Sequence, residues 1–287
     1  MSVRFRSMLY APGNQPRKID KAFSFGSDVV CIDLEDAVPL SEKEAAREQV
    51  VASLKVARGA PFYVRINALD TPYSLADVEA VVVPGLAGLV VPMIESGAQL
   101  QTIDWIVGQI EQRRGIEKGG IDIIPVIETA KALVGLEDIC RANSRVRQLS
   151  FGAWDFTFDA GITYTPEEAH IADARMRVVL HSRSAGLEAP LDTSYPVLGD
   201  IEGLTHSARL AKAMGYRSKA CIHPEQVVPV NAVFSIDEAE LKEAKAIVEE
   251  FEKAEKRGSA SIRVNGRFVD YPMYKKAKAL VDSQKRP

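Results

Sequence analysis

The sequence predicts an α/β fold, a (β/α)8 barrel of the TIM type followed by a C-terminal helical and hairpin lid extension. Three observations carry that reading. Eight short apolar runs alternate with helical segments, and each connection is long enough for a crossover to a parallel neighbour. The length of 287 residues suits one barrel of about 250 residues with an appendage. No Gly-x-Gly-x-x-Gly follows a strand, which weighs against a doubly wound dinucleotide fold. The barrel is placed at 1–233 and the extension at 234–287.

Taken in order, Ser7 to Pro12 (SMLYAP) is the first strand. The turn Pro12-Gly13-Asn14 leads into a helix carrying Arg17, Lys18 and Lys21, cations that suit phosphates as well as a solvated face. The second strand, Asp28 to Asp36 (DVVCIDLED), ends in Asp33, Glu35 and Asp36. Such an acidic strand end is costly unless it serves a cation, a cationic side chain or water. Ser41 to Val56 reads as a helix with Ser41 as N-cap and Glu44 as its capping-box partner. Phe62 to Asn67 is the third strand, with Arg65 near its end, and Gly88 to Ile94 the fourth, followed by a helix over Ser96 to Arg113. Ile121 to Thr129 (IDIIPVIET) and Leu149 to Asp159 (LSFGAWDFTFD) are the fifth and sixth, each running an apolar strand into a carboxylate, and a helix over Ala130 to Ala142 joins them. Thr165 to Ala185 is helical with Pro166 in its first turn. Pro190 to Tyr195 and Ser218 to His223 complete the eight, with a helix over Ile201 to Met214 between them. The tail breaks this rhythm: a helix over Ile236 to Lys256, a linker at Gly258 to Ser261, an Asn265-Gly266 hairpin and a last helix from Pro272 to Asp282.

Composition narrows the function. A net charge of -3 argues against a nucleic-acid binder, which needs a basic excess. Three widely spaced cysteines form no CxxC pair, so neither a disulfide framework nor a zinc site is indicated. The N-terminus lacks the apolar core of a signal peptide and no run approaches a membrane span, so a cytoplasmic protein is expected. The four histidines fall at no metal-binding spacing; packing or surface roles suit them, although His223 ends the eighth strand.

In a barrel the site lies at the C-terminal face of the strands. Glu128 and Asp155 end consecutive strands there, and their natural guest is a hard divalent cation. Magnesium, with manganese as the alternative, takes one or two protein carboxylates and leaves positions for substrate oxygens. A helix cap at Glu128 and a turn at Asp155 are the plain structural alternatives. Arg65 and Asp36 are the catalytic candidates on the barrel. An arginine among carboxylates suits enolate chemistry, the making or breaking of a carbon–carbon bond beside a carbonyl.

The motifs RSMLYAPG (Arg6 to Gly13), CIDLEDAV (Cys31 to Val38), YVRIN (Tyr63 to Asn67), IPVIET (Ile124 to Thr129), FGAWDF (Phe151 to Phe156), KACIHPEQV (Lys219 to Val227) and VDYP (Val269 to Pro272), in this order, resemble the citrate lyase beta subunit-like proteins of the HpcH/HpaI aldolase superfamily. The resemblance implies a barrel, usually trimeric, that cleaves or forms 3-hydroxyacyl-CoA thioesters with magnesium. It maps the metal ligands onto Glu128 and Asp155 and the enolate-stabilising arginine onto Arg65. It implies that Asp270, on a neighbouring protomer's lid, acts in proton transfer. Main-chain amides around Gly152, Ala153 and Trp154 would hold the substrate carboxylate, and Arg17, Lys18 and Lys21 become candidates for coenzyme A phosphates. Citramalyl-CoA is the first substrate expectation and malyl-CoA the second. The other readings are a citryl-acyl carrier protein lyase subunit, a malyl-CoA thioesterase and a coenzyme A-independent aldolase. One departure is Met93, where many members have lysine: a thioether cannot hold an anion as an ammonium does.

Overall fold

The computed structural model describes residues 5–56, 59–142 and 145–283. Eight parallel strands, β1 (Ser7–Pro12), β2 (Val29–Asp33), β3 (Phe62–Arg65), β4 (Gly88–Val91), β5 (Asp122–Ile127), β6 (Ser150–Phe151), β7 (Leu191–Asp192) and β8 (Ser218–Cys221), close into a barrel in sequence order. The ladder between β1 and β8, Met8 beside Ala220, completes the ring. Around it run α1 (Pro16–Ala22), α2 (Lys43–Leu54), α3 (Ser74–Val81), α4 (Gly97–Arg114), α5 (Ala130–Val134), α6 (Leu136–Arg141), α7 (Ala153–Asp159), α8 (Ala172–Ser184), α9 (Ile201–Met214) and α10 (Val227–Phe234).

Strand residues alternate between the lumen and the helical layer. Met8, Val29, Cys31, Tyr63, Val90, Ile124, Val126 and Leu191 form an apolar cluster built almost wholly from strands, which marks them as lumenal. Leu9, Val30, Ile32, Val64, Leu89 and Ile123 pack instead with helix residues such as Leu100, Ile103 and Leu136. Counting on by twos from the lumenal set gives Asp33 after Cys31, Arg65 after Tyr63, Glu128 after Val126 and Thr193 after Leu191. This parity aims four polar side chains inward at the C-terminal mouth.

Local chemistry sets the boundaries. Ser96 and Gln99 make a reciprocal capping box at the start of α4, and Gly115, at φ 66°, ends it in the left-handed conformation. Four expectations are corrected. The sixth strand is only Ser150–Phe151, because Ala153, Phe156 and Thr157 bury one face at helical spacing and the chain turns into α7. Ser41 is not a cap: it lies in a single tight turn, Leu40–Glu42, and α2 starts at Lys43. Pro166 precedes its helix, because Glu168 adopts φ 55° before a turn at Ala169–Ile171 leads into α8. The segment after β5 is two short helices meeting at Gly135.

The chain divides into two compact units, Met1–Phe234 and Ser235–Pro287. The second holds α11 (Glu238–Glu255), an antiparallel hairpin of β9 (Ile262–Val264) and β10 (Arg267–Val269), and α12 (Tyr271–Ser283). Asn265 and Gly266, at φ 48° and 81°, make its two-residue turn. Phe251, Val264 and Val269 form its core, with Tyr274 stacked on Phe251 at 4.6 Å between ring centroids. Among the described residues no helix is long and apolar enough to cross a membrane.

Candidate active site at the barrel mouth

Asp33 and Arg65 are register partners at the ends of β2 and β3. The guanidinium is held in a fork, Nε donating to Asp33 Oδ1 at 2.8 Å and Nη2 to Oδ2 at 2.6 Å. Nη1 lies 2.9 Å from Glu35 Oε2 and 3.4 Å from Asp36 Oδ2. The plane also stands 5.4 Å from the centroid of the Tyr10 ring. Burial opposes ionisation of Asp33, but the Arg65 charge and fork and the Glu35 and Ala37 amides outweigh it and hold the carboxyl below its usual range. Glu35 goes the other way. Burial pushes it up to about 9 against Arg65, with Asp36, Glu128 and Asp33 adding repulsion. Asp33 therefore carries the forked ion pair, while at the Nη1 edge burial favours the neutral form of Glu35. The buried Lys43 ammonium donates to Leu34 O and Glu35 O at 2.8 and 2.7 Å and so pins the loop bearing these acids.

Glu128, 4% exposed, follows β5, and its Oε1 accepts the Met93 N–H at 2.7 Å. Met93 sits at φ 53°, a left-handed conformation uncommon for such a side chain and the kind of local strain that collects at functional sites. Burial pushes Glu128 up to about 7; the Met93 amide and Arg65 oppose this, and Asp155 and Asp36 add to it. Asp155 lies in the first turn of α7, solvent-exposed and close enough to Glu128 for the two to affect each other's ionisation. Desolvation, then Asp36, raises it against the pull of Arg65. Gly152 lets the two meet: a Cβ there would clash with Glu128 Oε2 and lie 2.7 Å from its Cβ.

This donor set fits a divalent cation. Both carboxylates are pushed towards protonation by burial and by neighbouring acids, Asp155 and Asp36 acting on Glu128 and Asp36 on Asp155, a destabilisation that a bound cation reverses. Among the described residues no three His, Cys, Asp or Glu side chains converge on one metal position. Glu128 and Asp155 would give such an ion two hard oxygen ligands and leave its other positions to water and substrate oxygens.

The Gly152 amide donates to Ile127 O at 3.0 Å and that of Ala153 to Thr193 Oγ1 at 3.1 Å. The Trp154 and Asp155 amides are thus the first-turn donors that the helix cannot itself satisfy. The Trp154 ring packs on Tyr164 at 4.4 Å. Arg17, Lys18 and Lys21 are exposed on α1, whose inner face is Ile19 and Ala22. Asp270 precedes α12, and its Oδ1 accepts the Met273 N–H at 3.3 Å. His223 begins the turn Pro224–Gln226, accepting the Glu225 N–H at its side chain. Sequence reasoning did not single out Lys43, Thr193 or the Met93 amide. A buried lysine beside an acidic strand end was a readable signal for the first; nothing in the sequence marks the other two.

The family model described as HpcH/HpaI aldolase/citrate lyase matches residues 6–224. A protein named citrate lyase subunit beta from Leuconostoc mesenteroides subsp. cremoris is 32% identical over 278 residues, 96% of this chain and 92% of its own. One named L-malyl-CoA/beta-methylmalyl-CoA lyase, from Cereibacter sphaeroides, is 30% identical over 96% of this chain and 93% of its own. The crystal structure of the protein CitE from Mycobacterium tuberculosis, in complex with magnesium, acetoacetate and coenzyme A, superposes with a TM-score of 0.79 at 25% identity, covering 99% of each chain.

Proposed function

The chain belongs to the HpcH/HpaI aldolase/citrate lyase family, and from that premise we propose that it is a magnesium-dependent carbon–carbon lyase acting on a 3-hydroxyacyl-CoA thioester. The observation that carries this reading is one arginine, fixed by Asp33, facing the buried Glu128 and the exposed Asp155, two carboxylates short of a cation. The similarity to a malyl-CoA lyase and to a CitE structure holding magnesium and coenzyme A supports it.

Magnesium, held by Glu128 and Asp155, would supply Lewis-acid polarisation of substrate oxygens. The chain's own groups do the rest. The Trp154 and Asp155 amides receive the substrate carboxylate. Asp36, 70% exposed at its side chain and 3.4 Å from Arg65, takes the proton of the 3-hydroxyl. The carbon–carbon bond then breaks, leaving a 2-oxo acid and the enolate of acetyl-CoA. Arg65 meets the enolate oxygen through Nη1, the edge outside the Asp33 fork. Asp270, from the extension of a neighbouring protomer in a homotrimer, returns a proton to the enolate carbon. Arg17, Lys18 and Lys21 receive coenzyme A phosphates.

Citramalyl-CoA, giving pyruvate and acetyl-CoA, is the first substrate and malyl-CoA, giving glyoxylate, the second. One methyl group separates them, worth only about 1–3 kcal/mol in a pocket. The similarity to the Leuconostoc protein favours a second reading, a citryl thioester lyase subunit. The test offers all three thioesters to purified protein with magnesium and follows acetyl-CoA, 2-oxo acid and free coenzyme A. Acetyl-CoA release abolished by EDTA supports the lyase and ranks its substrates. Free coenzyme A without acetyl-CoA indicates a thioesterase, and no turnover of any thioester sinks the proposal.

A further inference from the structure

We infer that Thr193 is a positioning residue for Asp155: its hydroxyl fixes the first turn of α7 and so the direction in which that carboxylate faces Glu128. The inference rests on the metal reading above. β6 is two residues long and has one register pair with β7, Ser150 with Leu191, so the sheet ladder ends before the helix that presents Asp155 begins. What carries the alignment on is a pair of bonds bracketing the helix start. On one side the Gly152 amide donates to Ile127 O of β5 at 3.0 Å. On the other the Ala153 amide donates to Thr193 Oγ1 at 3.1 Å.

Thr193 is suited to this task by its surroundings. It is 4% exposed, and the residue before it, Asp192, is fully buried. Asp192 is clamped by Arg175, whose Nε and Nη2 donate to Oδ1 and Oδ2 at 2.9 and 3.2 Å, and by Lys219 Nζ on Oδ2. Lumenal parity from Leu191 aims the Thr193 side chain at the mouth. The hydroxyl is a rigid acceptor between a locked strand end and a helix start whose third residue is Asp155.

The test compares the wild type with Thr193→Val, which keeps the shape and removes the acceptor, and Thr193→Ser, which restores it. Mn2+ binding is followed by electron paramagnetic resonance without substrate, and Mg2+ activation by the acetyl-CoA assay. Thr193→Val is expected to raise the Mn2+ dissociation constant and the half-activating Mg2+ concentration about 10-fold, the scale for outer-shell partners of metal ligands. Turnover at saturating Mg2+ recovers towards wild type, and Thr193→Ser binds like the wild type. Thr193→Ala removes the same acceptor and repeats the measurement should the valine variant not fold. Wild-type affinity in the variants lacking the hydroxyl, or a serine variant as weak as valine, overturns the inference and leaves the metal reading standing. A wild type that binds no Mn2+ overturns both.

Discussion

On β7 and β8, Asp192 and Lys219 join Arg175 and Glu168 in a closed knot of two cations and two carboxylates, all buried. At the ends of β2, β3 and β5 and the start of α7, Arg65, backed by Lys43 beneath the β2 loop, faces five carboxyl groups, Asp33, Glu35, Asp36, Glu128 and Asp155. Strand parity separates the two. Asp192 and Lys219 take the outward parity and meet helices α8 and α9, whereas Arg65 and Glu128 take the lumenal parity and meet the open mouth. The outer knot neutralises itself: Glu168 accepts from Arg175, Ser207 and Tyr164, and Ser207 accepts from Lys219. The inner cluster does not, and Glu35 and Glu128 are raised by burial first and by the surplus of neighbouring carboxylate second. A balanced buried cluster fixes structure; an unbalanced one beside an opening is a place for a charged guest.

The sharpest way to break this comparison is to neutralise one carboxylate in each cluster. Asp192→Asn leaves Arg175 and Lys219 buried against Glu168 alone. It is expected to cost about 3–5 kcal/mol of unfolding free energy in urea titrations, since one partner of a buried network is removed. Glu128→Gln is expected to leave stability in EDTA no lower than wild type, because a neutral amide has no charge to desolvate. Turnover should nonetheless fall by more than about 100-fold, the upper range for loss of a mere outer-shell partner. A large loss of stability in Glu128→Gln, or none in Asp192→Asn, would remove the distinction. Gly152→Ala sharpens the inner half: its methyl meets Glu128 Oε2 and Cβ, so overpacking of about 1–3 kcal/mol is expected. Its Mg2+ requirement should rise while the urea midpoint falls only modestly.

How far the sequence revealed all this depended on whether a signal was local. Apolar runs alternating with helical segments marked the eight strands, and a carboxylate or arginine at or near a run's end marked Glu128 and Arg65. Asn265-Gly266 announced its own turn. The DLED acids read as a cluster that needed a cation, and Arg65 on the adjacent strand proved to be their cationic partner. LSFGAWDFTFD misled because a short apolar run is compatible with both periods, and only the packing of Phe156 and Thr157 decides for the helix. Thr193 was illegible because its role depends on a contact 40 residues away with Ala153. Glu168 was equally so: its left-handed backbone delays α8 while its carboxylate reaches inward to Arg175.

The most gradual effect, spread over several pH units, concerns Glu35, and its sign separates a buried neutral acid from an ion pair. Arg65 faces it across 2.9 Å, with Asp36, Glu128 and Asp33 as its anionic neighbours and burial as the dominant influence, and the carboxyl is pushed up to about 9. A folded-state value above the ordinary 4.5 means that the native protein binds the Glu35 proton more tightly than the unfolded chain does. Stability from this group is therefore complete below the ordinary value and is lost as pH rises through about 9. Glu35→Gln stays neutral throughout, so its stability relative to wild type should climb between these limits. The slope should not exceed about 1.4 kcal/mol per pH unit, the value for one proton. Urea midpoints of the two proteins at pH 5, 7 and 9, in EDTA, measure the difference. If Glu35 were instead a charged partner of Arg65, the variant would be the less stable protein at neutral pH and the gap would open in the opposite direction. Arg65 would then have no free edge for an enolate, and the inner cluster would resemble the outer one.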